Sequence, residues 1–106
     1  MITAEISPGS CGLLTVVNVT ASPDKQRVFL ELASECPNLQ EAAEEIRELE
    51  AYREVFGPPC GTRVYEVMSR HTRHPSCPVP AGVLRAIEVA AGITGPHDVS
   101  ISVRSS

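Results

Sequence analysis

The chain is predicted to be an α+β domain, a three-stranded sheet in the order β-β-α-(α)-α-β with helices packed on one face. Three observations predict it. Gly12 to Ala21 and Gln26 to Ala33 alternate side chains with period two around a turn. Leu39 to Arg53 and Pro80 to Gly92 place apolar residues every three or four positions. Asp98 to Arg104 alternates again. Apolar faces on both kinds of element are buried together only if the helices lie on the sheet. With 106 residues, the whole length, 1–106, is expected to be a single domain.

The first strand is predicted from GLLTVVNVTA. Leu13, Thr15, Val17 and Val19 share one face, and the segment is rich in β-branched residues, which suit a pleated surface. Ser22-Pro23-Asp24-Lys25 supplies turn chemistry, with proline presetting φ at the second position. The second strand, QRVFLELA, places Val28, Leu30 and Leu32 on one face, so the pair is a β-hairpin. Asn38 with Glu41 resembles a capping box. Leu39, Ala42, Ala43, Ile46, Leu49 and Arg53 then predict an amphipathic helix of about four turns. Glu41, Glu44, Glu45, Glu48 and Glu50 form its wet face, and Gly57-Pro58-Pro59 ends it.

Thr62 to Thr72 is read as a short helix with Val64, Val67, Met68 and His71 on one stripe. The last helix starts near Pro80, which suits a first helical turn, and Gly92 caps its end. The final segment places Val99, Ile101 and Val103 inward, so a half-buried third strand beside the hairpin is expected.

The composition narrows the function. The formal charge is −4, and the nine basic residues form no block and no aromatic platform, which argues against nucleic acid. Arg63, Arg70, His71, Arg73 and His74 read as a solvated basic neighbourhood. No apolar run approaches the ~20 residues of a membrane span. Met1 to Glu5 lacks the basic start of a signal peptide, so a cytoplasmic location is expected. In that compartment the four cysteines, Cys11, Cys36, Cys60 and Cys77, are expected to be free, ligating or reactive.

All four fall in loops or at element ends, and each is followed at once by glycine or proline. Converging ligands need tight loops, in which backbone approaches without a Cβ in the way. Cys36 and Cys77 precede helices, whose first turn offers free N–H groups and the positive end of a dipole. In a hairpin the start of one strand lies beside the end of the other, so Cys11 and Cys36 are expected to be neighbours. His74 and Cys77 stand three residues apart in HPSCPVP, close enough to reach one ion. The predicted metal ligands are therefore Cys11, Cys36 and Cys77, completed by His74 or Cys60. Zinc suits three thiolates and an imidazole, and an iron–sulfur cluster suits thiolates. No CxxC pair is present.

Three stretches, Pro8 to Gly12, Ser34 to Asn38 and His74 to Gly92, together resemble a family of small uncharacterised proteins of anaerobic bacteria and archaea. The resemblance covers nearly the whole chain and brings no established activity. It implies that Cys11, Cys36, His74 and Cys77 fall on motif positions, and that Thr72 stands where a further cysteine occurs. It thereby favours three thiolates with a variable fourth ligand. From Gly12 to Leu49, a hairpin followed by Cys-Pro at a helix start also resembles the NifU-like iron–sulfur assembly domains.

The functional expectation is a metal- or iron–sulfur-binding protein engaged in redox sensing, metal handling or electron transfer. The alternative is a non-catalytic binding or dimerisation module, with a protein partner or a second copy, whose cysteines only pack. Covalent catalysis by Cys36 or Cys77 with His74 as base has less support, because no orienting third group and no oxyanion loop is identifiable.

Overall fold

In the computed structural model, residues 1–105 are described. Four strands, β1 (Ile2–Ile6), β2 (Thr15–Ala21), β3 (Arg27–Ser34) and β4 (Glu48–Glu50), form an antiparallel sheet in the order β1-β2-β3-β4. Four helices accompany it: α1 (Pro37–Ala43), α2 (Ala51–Val55), α3 (Arg63–His71) and α4 (Val79–Ala90). A 3₁₀ turn at Pro59–Gly61 links α2 to α3.

The alternation of the hairpin decides which face is inward. Val17, Val19 and Val28 are fully buried, whereas Phe29 and Glu31 on the opposite side are exposed. Each buried valine contributes roughly 1.5–3 kcal/mol relative to exposure. Leu39, Ile46, Val64, Val67, Met68, Val83 and Ile87 complete one apolar cluster from the helical side. The helices thus cover one face, as expected of α+β. Thr15 is buried within this layer, and its hydroxyl is satisfied by Ser34 Oγ at 2.7 Å.

The hairpin turns at Ser22–Lys25. The Lys25 N–H donates to the Ser22 carbonyl (2.9 Å), and Asp24 accepts from the Ser22 hydroxyl (2.6 Å) and the Gln26 N–H (3.0 Å). Those two bonds hold the Asp24 carboxyl below the ordinary range. Lys25 itself has φ 65°, a left-handed conformation that a side chain tolerates poorly.

The sheet differs from the predicted three strands in three places. β1 was not foreseen; it pairs Ile2 with Val19 and Ile6 with Thr15, extending the hairpin to a meander. The predicted four-turn helix from Leu39 ends at Ala43, and Glu48–Glu50 is β4 instead. The reason is the free edge of β3: Leu30 N–H donates to the Arg47 carbonyl (2.8 Å), and Phe29 and Val28 pair with Glu48 and Leu49. Ile46 and Leu49 are buried in this arrangement, so one spacing served both a helix stripe and a strand crossing. The third difference is Asp98 to Arg104, the predicted half-buried strand. Among the described residues it pairs with no strand, and it is exposed throughout. The long axis of the molecule is 46 Å against 28 and 25 Å for the others.

The later helices fall near their expected places. Thr62 caps α3 by accepting from the Tyr65 N–H at 3.1 Å. Pro80 lies in the first turn of α4, and Gly92, at φ +80°, ends it. Gly82 lets α4 sit directly on β1, since a Cβ there would lie 2.6 Å from the Ile6 side chain. Among the described residues no helix is long and apolar enough to cross a membrane.

Candidate functional site

The strand register puts several cysteine-bearing segments at one end of the sheet. Ile6 pairs with Thr15, and Thr15 pairs with Ser34. Cys11 lies four residues before Thr15, and Cys36 two residues after Ser34. Glu35 ties the strands together there: its side chain accepts from the Leu14 N–H (2.7 Å) and its N–H donates to the Leu14 carbonyl (3.1 Å). Gly82 against Ile6 brings the first turn of α4 to the same end. Cys77, two residues before Val79, comes with it.

Each thiol has a distinct setting, and all four are free. Cys11 is exposed in the β1–β2 loop between Gly9 (φ +84°) and Gly12 (φ +66°). Gly12 N–H closes a turn onto the Gly9 carbonyl at 3.1 Å. A Cβ at either glycine would meet open space, so these glycines serve the left-handed backbone and not a close approach of neighbours. Cys36 occupies the N-cap position of α1 and is half-buried; its N–H donates to Ser34 Oγ (3.1 Å), while its side chain caps nothing. Cys77 is half-buried, and its N–H donates to the His74 carbonyl (3.1 Å) in a turn. Cys36 and Cys77 both pack against the apolar cluster.

His74 is exposed and shares with Cys77 a groove of about 290 Å³, lined also by Tyr65, Met68, Thr72, Arg73 and Pro80. Cys60 stands apart. It lies in the 3₁₀ turn, where Gly61 accepts from Arg53 Nε (3.2 Å), and Ala51 at the start of α2 donates to Gln26 beside the hairpin turn (2.9 Å). The nine residues of α3, about 13 Å of helix, separate that turn from the segment carrying His74 and Cys77. Among the described residues, no three His, Cys, Asp or Glu side chains are arranged to hold a metal ion.

Two acidic residues have roles that the sequence pattern did not flag. Glu54, only 4% exposed, accepts from the N–H groups of Arg63 (2.9 Å) and Val64 (2.8 Å). It thereby satisfies donors at the start of α3 that no helical carbonyl reaches. Glu45 was read as part of a wet face. It receives His71 Nε2 and Arg70 (2.6 Å), with Arg63 at 3.9 Å, and so binds the end of α1 to α3. The His71 hydrogen bond, aided by the charges of Arg70, His71 and Arg63, holds its carboxyl below the ordinary value of 4.5 against a smaller opposing effect of burial. A buried side chain nine and ten residues before the N–H groups it accepts from follows no period, so Glu54 had no signal in the sequence.

The family model for a family of unknown function, DUF6951, matches residues 2–103. The chain belongs to this family. The match spans all four strands and all four helices, so the DUF6951 fold includes both the cysteine-bearing end and most of the exposed tail. No curated protein and no solved structure matches the chain.

Proposed function

We propose that this DUF6951 chain is a small metal- or iron–sulfur-binding protein that uses Cys11, Cys36 and Cys77, with His74 as fourth donor, in redox sensing, metal handling or electron transfer. The observation that carries this reading is the strand register together with the contact of Gly82 on Ile6, which bring the segments bearing Cys11, Cys36 and Cys77 to one end of the sheet. Three thiolates and an imidazole are a donor set for zinc, and thiolates are the donors of iron–sulfur clusters. The donors are not arranged around one point as they stand, so binding a metal would require the exposed Cys11 loop to close toward Cys36 and Cys77. Small metalloproteins commonly couple metal binding to folding in this way. Cys60 is set aside as a ligand because of its place beside α2. A reducing cytoplasm, as in an anaerobic bacterium or archaeon, suits exposed free thiols.

Anaerobic purification followed by metal analysis and a visible spectrum tests the reading. The expected result is stoichiometric zinc or iron, lost in Cys36→Ser. A folded, colourless, metal-free protein that takes up neither metal on reconstitution overturns it.

A second reading has its own supporting observation. Cys36 and Cys77 are half-buried against the apolar cluster, as packing cysteines would be. On that reading the chain is a non-catalytic binding or dimerisation module. Cys36 and Cys77 then react slowly with thiol reagents, and Cys36→Ser changes stability without affecting metal content.

A further inference from the structure

We propose that Val99–Val103 is a strand in solution, added to the free edge of β1 in a second copy of this chain, with the two copies exchanging tails reciprocally. This does not depend on the metal reading. The segment is built as a strand: Val99, Ile101 and Val103 alternate with Ser100 and Ser102. Its apolar face is 55%, 77% and 90% exposed at those three residues, and among the described residues no strand pairs with it.

The sheet offers two edges, and they differ. β4 has three residues, and its outward Glu48 and Glu50 are occupied by Arg27 (2.6 and 3.6 Å). A short, charged edge is a protected one. β1 has five residues, carries neither proline nor lysine, and has hydrogen-bonding groups that β2 does not use. Its inner face presents Ile2 and Ala4, both half-buried. On α4, Val89 lies seven residues on from Gly82, on the same face of the helix, and Ile93 follows just past the helix end at Gly92. Val89 is half-buried, so with Ile2 and Ala4 it forms an apolar ledge beside β1, and Ile93, beyond the helix end, is 45% exposed. A strand added to β1 places Val99, Ile101 and Val103 on that ledge, and Ser100, Ser102 and Arg104 beside Thr3 and Glu5 on the wet face. Glu5 is the one charge of β1, and Arg104 is the one charge between Val99 and Ser105, so the pairing brings opposite signs together.

A second copy is the occupant because of how the tail leaves α4. Ile93 N–H donates to the Glu88 carbonyl (2.9 Å) and Gly92 N–H to Val89 (3.1 Å), a closed helix end that sets the exit direction. Pro96 stiffens the next step, and every residue from Gly95 to Ser105 is exposed. The start of α4 lies on Ile6, the end of β1, so helix and strand run in opposite senses. A tail folded back on its own β1 would therefore lie parallel to it. Every pair in this sheet is antiparallel, and a tail from a second copy is free to keep that pattern.

Light scattering on the full chain, combined with amide exchange, tests the exchange. The expected results are a dimer, slow exchange at the β1 amides that point away from β2, and loss of both in Ile101→Asp and in a chain ending at Gly95. A monomer at high concentration, with or without β1 protection, overturns the proposal. So does a dimer that survives both variants, which would mean pairing through β1 itself or another face. A dimer lost with the tail but never protecting β1 would place the contact between the tails, and also overturns it.

Discussion

The two ends of the sheet are furnished in opposite ways. At the hairpin-turn end several polar side chains are engaged. Asp24 closes the turn, Glu54 holds the start of α3, Thr62 caps that helix, and Arg53 and Arg63 share Glu66 at 3.0 and 2.7 Å. At the other end Glu35 and Ser34 tie the strands, but α1 and α4 begin without side-chain caps, both with proline in the first turn, and the cysteine-bearing segments add thiols and an exposed imidazole. One end is spent on stability. The other leaves donor atoms uncommitted, which is what a binding site needs. The difference explains how the fold tolerates exposed cysteines: it does not rely on them.

The sharpest way to break this comparison is to damage the braced end. Glu54→Ala leaves two N–H groups at the start of α3 without an acceptor in a buried setting, and should lower unfolding free energy by about 3 kcal/mol. Cys11→Ser, at the open end, should stay within about 0.5 kcal/mol of the wild type. Chemical denaturation of both variants checks the pair; equal effects would remove the distinction.

Gly82→Ala comes next. The added methyl would meet Ile6, and overpacking of this kind costs about 1–3 kcal/mol. On the proposed metal-binding reading it should also weaken metal uptake, because it pushes α4 off β1 at the thiol-bearing end, whereas Glu54→Ala should leave uptake intact in the folded fraction.

The smallest effect is one of pH. The Glu45 carboxyl is held below its ordinary value of 4.5 in the folded chain, mainly by His71. The folded state then binds fewer protons than the unfolded state in that range. The contribution is present above about pH 4.5 and fades as pH falls through the lowered folded value. Glu45→Gln should flatten the acid limb of a stability–pH curve below that point and leave the neutral region nearly parallel to wild type. An unchanged acid limb would show that the His71 contact carries nothing.

Much of the fold was legible because long patterns and turn chemistry agreed. Thr15–Ala21 and Arg27–Ser34 have both, as does α4 with Pro80 and Gly92. β4 was not, because a three-residue strand shows no period of its own and Leu49 fits a helical stripe equally well. The tail is the instructive case. Its alternation predicted a half-buried strand beside the hairpin, and the segment is instead unpaired and exposed, because alternation marks an apolar face without saying which surface covers it. The cysteines divide along the same line. Hairpin geometry alone puts the Cys11 and Cys36 segments at one end, and it sets no distance between their sulfur atoms. Cys60 looked equivalent in sequence, and only the contacts of Arg53 with Gly61 and of Glu54 with α3 place it elsewhere.

The account is tested most directly by titrating the reduced protein with cadmium and following thiolate-to-metal charge-transfer absorption in the near ultraviolet. Full absorption in Cys60→Ser, with its loss in Cys11→Ser and Cys77→Ser, is the predicted result. Absorption that depends on Cys60, or that is indifferent to all three substitutions, would contradict it.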